Sequence, residues 1–183
     1  IASTGTGKTM AFGLPILNKL ISLRDNKALI VAPTRELASQ IENELKKLGR
    51  GSGLYGALLI GGTAMNRQLA DLKADPEIVI GTPGRIKDHL ERGSLNLSNF
   101  NIVALDEVDR MLDMGFIDDI KTILKSTATA KQMLYFSATM DARVRSIIED
   151  FSNEVVEVKV KASATSDAVE QDIVPYSKTD NKT

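Results

Sequence analysis

Six short apolar runs recur along the chain with stretches of helical period between them. They are Ala28 to Ala32, Gly56 to Ile60, Glu77 to Ile80, Ile102 to Leu105, Gln132 to Phe136 and Val155 to Val158. A run that is apolar on both of its alternating faces must be covered on both sides, and same-direction neighbours need a crossover long enough to hold a helix. The pattern therefore predicts an α/β fold, a doubly wound parallel sheet with helices on both faces. The clearest helix is Arg35 to Leu48, where Leu37, Ile41, Leu45 and Leu48 make one apolar stripe. Others are expected over Thr9 to Leu20, Thr63 to Lys73, Pro83 to Glu91, Ile117 to Leu124 and Asp141 to Asp150. Pro15 lies inside the first of these, and its missing backbone donor predicts a kink or short break. Beyond Val160 the chain turns to Ala, Ser, Thr and Asp, as in a linker, before Val169 to Tyr176 alternates again. The expected division is thus one domain over residues 1–160 and a separate segment over residues 161–183.

The 183 residues suit one such domain. Lys and Arg number 23 against 24 Asp and Glu, a net charge of −1, so no global field draws the protein to a polyanion and any such partner needs a local site. The absence of cysteine excludes disulfides and thiolate metal sites and points to an intracellular, most simply cytoplasmic, setting. The apolar runs are too short to span a bilayer, so no membrane association is expected.

Ala2-Ser3-Thr4-Gly5-Thr6-Gly7-Lys8-Thr9 matches a phosphate-binding loop, with alanine at the first glycine position. Small residues let successive N–H groups of Thr4, Gly5, Thr6 and Gly7 turn inward around phosphate oxygens, at the positive end of the following helix. Lys8 then reaches the outer phosphates and Thr9 offers a hydroxyl to magnesium. The chain opens on this loop at Ile1, so the strand expected before it is taken to be missing and the domain truncated at its amino end.

Asp106-Glu107-Val108-Asp109 directly follows the run Ile102 to Leu105, which places three carboxylates at the carboxyl end of a buried strand, where open α/β sheets bind ligands. Carboxylates this close repel one another unless a cation compensates. Asp106 is assigned to the magnesium ion, and Glu107 to orienting and deprotonating the water that attacks the terminal phosphate. Pro33-Thr34-Arg35-Glu36, Gly61-Gly62-Thr63, Gly81-Thr82-Pro83-Gly84-Arg85 and Ser137-Ala138-Thr139 each follow another apolar run. Thr82 with Pro83 reads as a capping hydroxyl followed by proline at the first helical position. Several helix starts on one edge, with Arg35 and Arg85 among them, make a track for a chain of phosphates, as in a nucleic-acid backbone. Aromatics are only 4% of the chain, which argues against base stacking and for sequence-independent contact. His89 and the Met residues are read as packing or surface positions.

Together these motifs resemble the first RecA-like domain of the DEAD-box RNA helicases, over essentially Ile1 to Val160. The resemblance also takes in Arg110-Met111-Leu112-Asp113-Met114-Gly115-Phe116 and departs at Val108, where the family name implies alanine. It implies binding of ATP with Mg2+, contact of Pro33, Arg35, Gly62, Thr82 and Arg85 with the RNA backbone, and coupling of hydrolysis to strand separation by Ser137 and Thr139 through a hydrogen bond to Asp109. It further implies a second RecA-like domain in the same polypeptide, of which residues 161–183 look like the linker and opening strand, and without which hydrolysis should be nearly absent. The alternatives left open are a related DNA helicase and a non-catalytic RNA-binding or scaffold module that keeps the fold.

Overall fold

Ala28, Ile30 and Ala32 belong to one apolar cluster and Leu29 and Val31 to another, and none of the five reaches water. This strict alternation recurs in the neighbouring strands, so the sheet has a core on each face. The structure, a computed structural model, describes residues 8–129 and 131–159, with Lys8 through its backbone alone. In chain order the elements are α1 (Lys8–Ser22), β1 (Ala28–Val31), α2 (Arg35–Leu48), β2 (Gly56–Leu59), α3 (Met65–Lys73), β3 (Ile78–Gly81), α4 (Pro83–Glu91), β4 (Ile102–Leu105), α5 (Val108–Asp113), α6 (Ile117–Ser126), β5 (Gln132–Tyr135) and α7 (Ala142–Phe151).

Among the described residues the five strands form one parallel sheet in the order β2-β3-β1-β4-β5. Ile30 lies level with Ile80 on one side and Ala104 on the other. Helices α1 and α2 cover one face through Phe12, Ile16, Leu20, Ile41 and Leu45, while Ile86, Met111, Ile120, Ile123, Val144 and Ile147 bring α4 to α7 onto the other. Val108 is fully buried in that second core, so its extra volume over alanine is absorbed by packing. At Gly81 the strands approach so closely that a Cβ would strike the Leu59 carbonyl oxygen.

Three expectations are corrected. Helix α1 runs through Pro15 without a break; Pro15 and Ala11, whose carbonyl loses its partner, are both exposed, so solvent takes the place of the missing donor. Val155 to Val158 is not a strand: Val155, Val156 and Val158 are exposed, and the stretch lies outside the five-stranded sheet of the described residues. Thr82 holds the N-cap position of α4, but its hydroxyl makes no capping hydrogen bond. The expected linker and opening strand over residues 161–183 lie outside the described residues, as do Thr4, Gly5, Thr6 and Gly7. No helix among the described residues is long and apolar enough to cross a membrane.

Candidate functional site

The carboxyl ends of the strands gather the polar motifs along one edge, and two contacts fix how α1 meets that edge. Lys19, late in α1, donates to the Gln132 side chain at the start of β5 (2.7 Å). Phe12, in the first turns, packs on Phe136 just beyond the end of β5, with ring centroids 5.1 Å apart. Helix α1 therefore runs antiparallel to β5, and its first residues, Lys8 and Thr9, sit about one turn from Phe12 at the ligand edge. The Phe136 carbonyl in turn accepts from Val108 N–H (3.0 Å). One residue thus joins the positive end of α1 to the acidic turn.

In that turn Asp106 is 2% exposed and tied to β1 by its N–H, which donates to the Val31 carbonyl (2.9 Å). Glu107 is also buried, and its backbone is left-handed (φ 51°, ψ 54°), an arrangement that costs a non-glycine residue about 1–3 kcal/mol. It starts α5 without capping it; its carboxylate instead accepts from Arg110 Nη1 (3.0 Å). Sequence reasoning passed over Arg110, although a spacing of three residues on a helix is a readable pairing signal.

Asp109 is the most connected acid. Its Oδ2 accepts from Ala138 N–H (3.1 Å), Thr139 N–H (2.9 Å) and the Thr139 hydroxyl (3.0 Å), its Oδ1 from Arg110 N–H (3.0 Å), and its own N–H donates to Ser137 Oγ (3.3 Å). Burial pushes its carboxyl up, but the donors of Thr139, Arg110 and Ser137 outweigh burial and hold it below the ordinary carboxylate range. The expected link from Asp109 to Ser137 and Thr139 is present.

Further along the edge, Thr34 caps α2 by accepting from Leu37 N–H (3.2 Å), and Arg35 Nη1 donates to the Gly61 carbonyl (3.4 Å). Gly62 has φ +79°, which favours glycine, and the absence of a Cβ leaves room for the end of the Arg35 side chain. Arg85 is mostly covered; its Nε lies 3.8 Å from Asp88 Oδ2 and its Nη1 is buried with no hydrogen-bond partner. Pro33 is buried and fixes the turn into α2, leaving Thr34 and Arg35 at the surface of that turn. The structure thus brings together Arg35 with Gly61 and Gly62, Asp109 with Ser137 and Thr139, and the start of α1 with the acidic turn.

His89, read from sequence as packing or surface, is wholly buried and hydrogen-bonded to Ser94 and Gln68. Burial first, then the Arg85 charge, pushes its pKa below the ordinary histidine value. Gln68 carried no sequence signal. Among the described residues no three His, Asp or Glu side chains form a metal cage. A buried carboxylate at Asp106 and a hydroxyl at Thr9 are instead a hard, sparse oxygen set of the kind Mg2+ takes when water and phosphate complete its shell.

Comparison with known proteins agrees with this geometry. The sequence profile described as DEAD/DEAH box helicase matches residues 1–147. A DEAD-box ATP-dependent RNA helicase CshA of Bacillus subtilis is 48% identical over 162 residues, covering 88% of this chain and 33% of the relative. An ATP-dependent RNA helicase CshA of Listeria monocytogenes is 50% identical over 163 residues, covering 87% and 31%. The chain spans about a third of the length of these relatives. Among solved structures, a DEAD box protein from the hyperthermophile Methanococcus jannaschii superposes with a TM-score of 0.77 at 42% identity, covering 82% of this chain and 41% of that one. The yeast DEAD-box splicing factor Prp28 gives a TM-score of 0.77 at 34% identity, covering 84% and 39%.

Proposed function

The chain belongs to the DEAD/DEAH box helicase family, and from that premise we propose that it is the ATP-binding RecA-like domain of an ATP-dependent RNA helicase. In this reading residues 1–160 are that domain, and residues 161–183 lead into a second RecA-like domain of the same polypeptide. The observation that carries the reading is the junction at Phe136, which supports a site where the α1 start and the acidic turn share one ligand. The amides of Thr4, Gly5, Thr6 and Gly7 cradle the phosphates of ATP, and the Lys8 ammonium holds the outer ones. Thr9 and Asp106 would hold Mg2+, which when bound neutralises charge on the phosphate oxygens. Glu107 orients the attacking water and takes its proton; to do so its carboxylate must leave Arg110.

Arg35, Gly62, Thr82 and Arg85 form the RNA track, joined by the backbone at Pro33. The unpartnered Nη1 of Arg85 supports an anionic partner at that point, because a buried guanidinium donor without an acceptor is costly. Such contacts reach sugar and phosphate alone, so binding is independent of sequence. Asp109, held by Ser137 and Thr139, couples the state of the phosphates to the sheet edge that carries the RNA. The test is ATP hydrolysis by the full-length protein with RNA, with DNA and with neither. Stimulation by RNA and its loss in Glu107→Gln are expected. Stimulation by DNA alone would point to a DNA helicase, and no hydrolysis with RNA present would point to a binding module.

A further inference from the structure

Two buried polar side chains stand apart from the acidic turn. Gln68 of α3 is 2% exposed and His89 of α4 is 0% exposed. Gln68 Nε2 donates to the Ile60 carbonyl (3.0 Å) and to the Thr63 hydroxyl (2.7 Å), which itself donates to the Ile60 carbonyl (2.9 Å). Because the amide nitrogen is spent on those acceptors, Gln68 Oε1 faces His89 Nε2 (3.1 Å) as an acceptor, and His89 must carry its proton there. His89 Nδ1 is then an acceptor for the Ser94 hydroxyl (2.8 Å), whose one proton it shares with the His89 carbonyl oxygen (3.1 Å).

We infer that Gln68 and His89 are positioning residues that lock the Gly61-Gly62-Thr63 loop to α4, so that Gly62 and Arg35 on one side and Thr82 and Arg85 on the other hold a fixed register along the RNA track. The inference rests on the RNA reading above for its consequence, but not for the lock itself. The loop makes its other polar contact with α2, through Arg35 and the Gly61 carbonyl. Arg85 lies one turn before His89 on α4, on the same side of the helix. The chain of contacts therefore runs from α2 through the loop and α3 to α4. An apolar pair would fill the same space, but apolar contact is non-directional, whereas a fully satisfied buried network specifies one relative placement. The charged groups around His89 are Arg85, Asp88 and Arg92. None of them accepts or donates in the lock.

The experiment uses the full-length protein with Gln68→Met, which keeps the volume and removes the donors, and Thr63→Val, a mild change on the exposed loop. His89→Gln keeps a donor near the Nε2 position and serves as the conservative rescue. Hydrogen exchange at the start of α3, where the Arg67 and Gln68 amides donate to the Ala64 carbonyl, should quicken about tenfold in Gln68→Met and Thr63→Val, with β1 and β4 unchanged. RNA affinity in the presence of magnesium and a non-hydrolysable ATP analogue should fall about tenfold, while affinity for the analogue without RNA stays within about twofold. His89→Gln should stay within about threefold of the parent in both. Unchanged exchange at the Arg67 and Gln68 amides in folded Gln68→Met, or in Thr63→Val should the former not fold, overturns the lock. If the parent itself takes up no RNA, the RNA reading fails instead, and the exchange data still decide the lock.

Discussion

At Asp109 the two carboxylate oxygens accept hydrogen bonds from Arg110, Ala138 and Thr139, and this places its folded pKa below the ordinary 3.8. A depressed carboxyl contributes stability that is complete above its unfolded value and is lost as pH falls through the folded one. Urea unfolding followed downward from about pH 5 should therefore show a loss below about pH 4, to which Asp88 and Asp141 also contribute and which Asp109→Asn reduces. Thr139→Val removes one of the three donors to Oδ2 and should reduce that loss without removing it. His89 has the same sign in a higher pH window. Its folded pKa lies below 6.5, so the unfolded chain takes up the proton first, and stability declines as pH drops below about 6.5 until the folded pKa is reached. Arg85 and Arg92 oppose protonation there and Asp88 favours it, and His89→Gln should flatten this part of the curve in the same titration. His89 also shows the limit of a single residue type read alone. A lone histidine on a helix carries no sign of whether its ring meets leucine or glutamine, because Gln68 is 21 residues away in the chain.

Two helix starts on the ligand edge, those of α2 and α7, are held by a capping side chain, and these were partly legible. Thr34 caps α2 as Thr-x-x-Leu, and Asp141 caps α7 by accepting from Val144 N–H (2.9 Å), both in the pattern a capping residue writes into sequence. Thr34→Ala should cost about 1 kcal/mol in urea unfolding and leave α2 in place through its buried Ile41 and Leu45. Thr82 looked equally good and does not cap: the Arg85 N–H at the third helical position donates to the Thr82 carbonyl instead of to its hydroxyl (3.1 Å). The start of α1 depends on packing rather than on a cap. Phe12→Ala should cost about 3–5 kcal/mol of unfolding free energy and weaken nucleotide binding, measured by calorimetry, since the ring contact with Phe136 anchors the Lys8 end. Phe12→Leu should recover most of the stability. Two elements were misread for opposite reasons. Pro15 breaks no helix because solvent reaches the carbonyl it leaves bare, while Val155 to Val158 has strand composition but lies outside the sheet of the described residues.

For the whole molecule, the reading as one half of a two-domain motor has a direct consequence. The 183-residue chain alone should bind ATP with magnesium yet release phosphate at least about 10³-fold more slowly with RNA than the full-length protein, because in this reading the transition-state arginines belong to the second domain. Comparable steady-state rates for the two would sink that division of labour. The sheet order explains why the ligand edge is continuous: β3-β1-β4-β5 sets the turns after Gly81, Val31, Leu105 and Tyr135 side by side, although the chain visits them as β1, β3, β4 and β5. By itself the sequence determined the α/β class, the strands β1 to β5 to within a residue or so, and the placing of the polar motifs that follow them at the strands' carboxyl ends. These follow from burial period and turn chemistry, which are local properties. Only the tertiary structure decided that Arg35 meets Gly61, that Thr139 meets Asp109 and that Gln68 meets His89, because each contact joins residues brought together by the lateral order of the strands and the packing of the helices on them, which no local period encodes.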